Sequence, residues 1–374
     1  MSLGLLIATI VIALVFTYIN GFHDTANSIA TVVATKVLTP GQAVLLAATT
    51  NLAGALLGTE VAITIATGLI DVGVLQVGAE VLICALLGAT IWNLITWWLG
   101  LPSSSSHALI GGLCGAAFAA SGGNFHAIIW MTAPAHWWRG DGVIPKVIVP
   151  MVASPIAGFV LGIVAMGLLL ALFAWFCNRS GYLRRFGRTP FVNFFFGKAQ
   201  LFSAAAMGVS HGMNDAQKSM GIIALALASA TAAHNFDHLP VWLHFLRVSD
   251  IGGHLAIPVW VKVLCALVMA GGTAGGGWRI IKTLGHKMVK LHPINGFAAE
   301  TSSAAVIIVA SSFGLPVSTT HVVSSSIMGV GAAKRFNAVR WTVVERMVWS
   351  WILTLPVSAV IAWGLVELSR PLWA

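Results

Sequence analysis

The sequence predicts an all-α polytopic membrane protein made of two inverted-topology repeats, with broken helices and two re-entrant helical hairpins. Three observations predict it. Hydrophobic residues make up 58% of the 374 residues and charged residues only 8%, which excludes an ordinary soluble domain. Apolar stretches fill most of the chain without the period-two alternation of barrel strands. The octet Gly100-Leu-Pro-Ser-Ser-Ser-Ser-His107 returns in the second half as Gly314-Leu-Pro-Val-Ser-Thr-Thr-His321. Paired hydroxyl-rich interruptions of this kind point to a transporter's binding site.

The apolar stretches lie near residues 2–38, 43–70, 78–100, 103–121, 145–177, 199–230, 255–277, 294–314, 318–333 and 341–366, some nearly fused. The first lacks a basic leader region and a cleavage site, so it reads as a span rather than a signal peptide. It exceeds the ~20 residues of a simple span, and Asn20-Gly-Phe-His-Asp24 reads as a break at membrane depth. Residues 1–177 form the first repeat, with a hairpin over 78–121 that turns at Pro102–His107. Residues 178–198 form a basic linker carrying Arg179, Arg184, Arg185, Arg188 and Lys198. Residues 199–374 form the second repeat, with a hairpin over 294–333 turning at Pro316–His321 and a polar external loop over 231–254.

Charge fixes an orientation. The net charge of +9 would suggest nucleic acid in a soluble chain, but here the cations cluster in short loops and follow the positive-inside rule. The segments 178–198, 278–290 and 334–346 are therefore cytoplasmic, and the second hairpin enters and leaves from that side. No Lys or Arg lies between Lys36 and Arg139, and Asp71 and Glu80 flank the first hairpin, which opens from outside. Both termini are then external, and Arg139 is a minor exception.

Further anchors support the repeat. Gly58-Thr59 and Gly272-Thr273 stand at the same separation as the two octets. Gly21 and Asp24 correspond to Gly212 and Asp215 at a shorter separation, which places an insertion in the second half, with His234–His254 as the obvious candidate. Its histidines, His234, His238, His244 and His254, are too irregularly spaced for a metal site. The cysteines Cys84, Cys114, Cys177 and Cys265 are isolated and indicate neither zinc nor a disulfide framework.

Acids at membrane depth are costly and imply function. Asp24, Asp215 and Glu300 qualify, with His23 and His211 as titrating neighbours. Every Arg falls in a loop or near a segment end, so an anion at depth cannot rest on an Arg clamp. Hydroxyls and free N–H groups at helix starts, together with Lys218, must hold it. Carboxylates beside an anion repel it unless cations intervene. Protons or Na⁺ on the acids remove that repulsion, and each ligand then raises the affinity of the other.

At Gly21-Phe-His-Asp-Thr-Ala-Asn27, His211-Gly-Met-Asn-Asp-Ala-Gln-Lys218, the two octets and His292-Pro-Ile-Asn-Gly-Phe-Ala-Ala-Glu-Thr301, the chain resembles the inorganic phosphate transporter (PiT) family, in its bacterial low-affinity branch. The resemblance covers nearly the whole chain. It implies a site between two hairpin tips, a homodimer in the inner membrane, and coupling to H⁺ with phosphate free or metal-complexed. It places Ser104, Ser105, Ser106, Ser318, Thr319, Thr320, Gln217 and Lys218 at phosphate. It places Asp24, Asn27, Asn214, Asp215 and Glu300 at the coupling ion, and His23 joins them as the titrating neighbour read from the residues. Many relatives carry Asn-Asp where this chain has His23-Asp24, a departure that favours H⁺ over Na⁺. No cofactor, resident metal or nucleic acid is implied. The rivals are a sulfate permease on the same scaffold and an anion channel. An enzyme is disfavoured because no nucleophile elbow occurs, and an ATP-driven pump because no Walker-type loop occurs.

Overall fold

The computed structural model describes residues 2–71, 74–75, 77–132, 140–179, 185–236, 240–248, 250–251 and 254–373. The helices of the first half are α1 (Leu3–Ala34), α2 (Pro40–Ala55), α3 (Glu60–Thr67), α4 (Ala79–Leu99), α5 (Ser105–Ala120) and α6 (Val149–Cys177). Those of the second are α7 (Thr189–Ala232), α8 (Val259–Gly275), α9 (Trp278–Lys282), α10 (Pro293–Ser312), α11 (Thr319–Lys334) and α12 (Trp341–Trp373). The order long helix, bent pair, hairpin, long helix thus occurs twice. Among the described residues, five helical segments are each long and apolar enough to cross a membrane, and up to seven spans result if each bent pair counts as one.

The interruptions fall elsewhere than the sequence suggests. α1 runs unbroken through Asn20–Asp24, and α7 runs unbroken through His211–Lys218. Neither stretch contains proline, and the glycines serve contact instead of a break. A Cβ on Gly21 would come within 2.4 Å of the Met269 carbonyl oxygen, and one on Gly212 within 2.2 Å of the Asn51 carbonyl oxygen. These glycines let α1 cross α8, and α7 cross α2, at backbone contact. The real breaks lie between α2 and α3, bent by 67°, and between α8 and α9, bent by 58°. Each uses a glycine in the left-handed region, Gly58 at φ 78° and Gly276 at φ 67°.

Both hairpins form as expected, and by the same local chemistry. Gly100 and Gly314, each at φ 66°, turn the chain after α4 and α10, where a side chain would strain the backbone. Pro102 and Pro316 follow, and Ser104 and Ser318 then cap α5 and α11 by accepting from the backbone N–H of His107 and His321, at 3.2 Å in both cases. The tips meet: Ser106 Oγ donates to the Val317 carbonyl oxygen at 3.2 Å.

α6 packs on α11 and α12 packs on α5, so the closing helix of each half embraces the other half's hairpin. α6 and α12 also expose Val152, Leu168, Ile352 and Val360 outward, as a lipid-facing surface does. α7 starts at Thr189, inside the basic segment 178–198. Residues 231–232 of the expected external loop still belong to α7, and the loop carries a short 3-10 helix, Val241–Leu246, and the strand pair Asp250–Ile251 with His254–Leu255. Arg139, Arg184 and His238 lie outside the described residues.

Two apolar clusters form the interior. One contains Phe16 of α1 and Ala216 and Met220 of α7; the other contains Ala26 and Ile29 of α1 and Ala204 and Met207 of α7. α1 and α7 therefore cross the two clusters in opposite order. On each helix the changeover falls at the polar motif, Asn20–Asp24 on α1 and His211–Asp215 on α7.

Candidate functional site

The polar motifs of α1 and α7 face the second hairpin tip at this changeover. Asn27 donates through Nδ2 to Thr320 Oγ1 at 2.9 Å and to Thr319 Oγ1 at 3.2 Å. The two threonines then part: Thr320 Oγ1 lies 3.4 Å from Asp24 Oδ1, and Thr319 Oγ1 lies 3.4 Å from Asp215 Oδ2. Lys218, one turn beyond Asp215 on α7, donates to its Oδ1, and both side chains are wholly buried. His211 Nε2 lies 3.1 Å from Asp215 Oδ2, while His211 Nδ1 is held 2.9 Å from Asn51 Oδ1. His23 Nδ1 lies 2.7 Å from Asp24 Oδ1, and its Nε2 lies 3.1 Å from Thr96 Oγ1 on α4. Ligand atoms of Asp24, His211 and Asp215 all fall within 4.8 Å of one another, close enough for one shared cation.

The tips supply a second kind of chemistry. The first backbone N–H groups of α5 and α11 have no intrahelical partner, so Ser105, Ser106, Thr319 and Thr320 present donors suited to an oxyanion. Several buried polar atoms nearby have no partner among the described residues: Ser105 Oγ, Asn27 Oδ1 and both ring nitrogens of His107. Buried groups of this kind are normally paired, so their concentration at the tips marks a place for a polar ligand.

Four of the residues expected at the site also hold the local structure together. Ser104 and Ser318 accept the cap N–H groups, as described above, which leaves each O–H able to donate. Gln217 accepts through Oε1 from the Val61 N–H at 2.9 Å and the Ala62 N–H at 3.2 Å, and donates to the Leu57 carbonyl oxygen at 3.2 Å. It caps α3 across the break. Asn214 donates to Ser311 Oγ at 2.8 Å and to the Leu315 carbonyl oxygen at 3.4 Å, which ties α7 to the second hairpin.

Glu300 occupies a separate buried pocket. Thr31 and Ser203 donate to its two oxygens, and Gln200 Nε2 adds a third bond at 3.1 Å. Thr31 sits one turn beyond Asn27, so α1 connects this pocket to the aspartates. Thr31, Gln200, Ser203, Asn51 and Thr96 are the neighbours that sequence reasoning missed. They lie outside the motifs, and only packing brings them in.

A sequence model of the phosphate transporter family matches residues 20–362. The chain belongs to that family. It is 44% identical over 360 residues to a probable low-affinity inorganic phosphate transporter of Bacillus subtilis (strain 168), with 96% of each chain covered. A protein of the same description from Rhizobium meliloti (strain 1021) is 42% identical over 364 residues, covering 97% of this chain and 96% of its own. The solved structure of a sodium-dependent phosphate transporter superposes with a TM-score of 0.77 over 99% of this chain and all of its own, at 23% identity. That likeness is one of fold. Family membership makes the chain an integral membrane transporter and not an enzyme, as the sequence reading expected.

Proposed function

We propose that the chain is a secondary active symporter of inorganic phosphate coupled to H⁺. The observation that carries this reading is the convergence of Asp24, His211 and Asp215 beside Thr319 and Thr320. One lysine faces two carboxylates there, so an arriving phosphate meets net repulsion until cations neutralise the site. Proton binding to this cluster creates the anion site, which is obligatory coupling in physical terms. The imidazole in the ligand set is a poorer donor for a hard alkali cation than oxygen is, which favours H⁺. Na⁺ coupling is the second reading, supported by the oxygens of Asp24, Asp215, Thr319 and Thr320 gathered around Asn27. A carboxylate acceptor at the anion favours phosphate over sulfate, because phosphate can donate a hydrogen bond and sulfate at neutral pH cannot.

In this reading phosphate binds between the hairpin tips, on Ser105, Ser106, Thr319 and Thr320, with Lys218 reaching it through Asp215. Phosphate arrives free or as a neutral metal complex. The two halves act as inverted repeats in the bacterial inner membrane, with both termini external, 178–198, 278–290 and 334–346 cytoplasmic, and a homodimer as the assembly. Radiolabelled phosphate uptake into proteoliposomes, with a pH gradient or a Na⁺ gradient imposed and sulfate as competitor, tests this. Concentrative uptake driven by the pH gradient and resistant to sulfate is expected. A strict Na⁺ requirement replaces the coupling ion, and sulfate accumulation overturns the substrate.

A further inference from the structure

A cavity of about 530 Å³ opens away from the central site, lined among others by Lys36, His286, Lys290, His292, Arg340 and Thr35. It has no acidic lining residue, and Lys36, Lys290 and Arg340 form no ion pair among the described residues. Cations gathered in a concave site without a counter-charge raise the local concentration of anions.

Two backbone features shape the cavity. Lys36 follows α1 in the left-handed region at φ 59°, where the Lys36 and Val37 N–H groups close the helix end on the Val33 and Val32 carbonyl oxygens and the turn sets Lys36 at the cavity. Gly285 and His286 lie in a π-helical turn, Thr283–Lys287, a feature common at functional sites. A Cβ on Gly285 would come within 2.7 Å of the Ala30 carbonyl oxygen, so its absence lets this turn close against α1.

One face of α1 joins the cavity to the central site. Asp24, Asn27, Thr31 and Thr35 are spaced by three, four and four residues, which is one helical face, and they span about 16 Å. Thr35 lines the cavity and donates to Gln200 Oε1 at 2.9 Å, and Gln200 and Thr31 both donate to Glu300. Hydrogen bonds thus run from Glu300 through Gln200 to Thr35 at the basic cavity, and the shared face of α1 continues from Thr31 to Asn27 and Asp24.

We propose that this cavity is a second binding site, for a phosphate-bearing anion, on the cytoplasmic side of the carrier. It rests on the phosphate-carrier reading above. It receives either the transported phosphate leaving the central site or the headgroup of an anionic lipid, the two sources sharing one recognition chemistry.

The test is a triple variant, Lys36→Asn, Lys290→Gln and Arg340→Gln. All three side chains are exposed, and Asn tolerates the left-handed conformation. Variant and natural chain are reconstituted in phosphatidylcholine vesicles with and without phosphatidylglycerol, and phosphate exchange is measured with inorganic phosphate titrated on each face in turn. With free phosphate as occupant, half-saturation on the cytoplasmic face rises about tenfold in both lipids, and the other face is unchanged. With a headgroup as occupant, phosphatidylglycerol alters exchange by the natural chain and not by the variant. Identical behaviour of the two chains on both faces and in both lipids overturns the site. A parallel shift on both faces also overturns it, because the residues then belong to the central site. Equilibrium binding of radiolabelled phosphate to the purified chains separates this inference from the transport reading. Two sites in the natural chain and one in the variant support the cavity even where exchange fails, and equal numbers together with no phosphatidylglycerol-dependent difference between the chains refute it.

Discussion

Asn27 on α1 donates to Thr320 on the second hairpin tip at 2.9 Å, and Thr320 in turn lies 3.4 Å from Asp24, one turn before Asn27 on the same helix. The helix and the tip are therefore held in one arrangement by side chains of the candidate site. A Thr320→Val substitution keeps the shape and removes the hydroxyl. A hydrogen bond contributes about 1 kcal/mol, so losing the proposed bond from Thr320 to phosphate should raise half-saturation for uptake about fivefold, and losing the bond from Asn27 should lower the melting temperature modestly. Uptake kinetics and a thermal melt on the same preparation check this.

The buried Lys218–Asp215 pair separates two effects that neutralising an aspartate would otherwise confuse. Asp215→Asn strands a buried ammonium, and breaking such a pair costs about 3–5 kcal/mol. Asp24→Asn leaves no lysine unpaired, because its partners are His23 and Thr320. Both variants should lose coupled uptake, but only Asp215→Asn should be markedly destabilised. The double variant Asp215→Asn with Lys218→Met should recover stability without recovering uptake. Thermal melts with gradient-driven uptake decide it, and restored uptake in the double variant would count against the cation-site role of Asp215.

Glu300 accepts from Thr31, Gln200 and Ser203 in a buried pocket of its own. Its protonation is then a step apart from that of the aspartate cluster. Proton coupling predicts that uptake by the natural chain rises as external pH falls, because protonation completes the anion site. Glu300→Gln, fixed in the neutral form, should lose concentrative uptake and keep pH-independent exchange of phosphate for phosphate. A pH series of uptake and exchange on both chains measures this.

The sequence disclosed most of the fold because its signals were local. The αL glycines, the prolines and the capping serines at Gly100–Ser104 and Gly314–Ser318 are contiguous, so both hairpins were readable. The helix breaks were misread because Gly21 and Gly212 look the same in sequence whether they interrupt a helix or let another backbone approach. The motifs of α1, α7 and the second hairpin tip were legible as sequence, while which of their side chains meet was not. That Gln217 holds the α3 start and that Glu300 is bonded by Thr31, Gln200 and Ser203 depend on partners distant in sequence.

Gln217 offers a direct check on these distant partners. Its amide is spent on Leu57, Val61 and Ala62, across the break between α2 and α3. Gln217→Ala leaves two backbone donors at a buried helix start, a loss of about 1–3 kcal/mol in stability. Half-saturation for phosphate should stay close to that of the natural chain once uptake is normalised to folded protein. Gln217→Glu keeps the acceptors for both N–H groups and should recover part of the stability, although its carboxylate cannot donate to Leu57. A large rise in half-saturation for Gln217→Ala at unchanged melting temperature would return Gln217 to the phosphate site. A drop in melting temperature with normal half-saturation would confirm it as the cap that keeps the broken span open at this point.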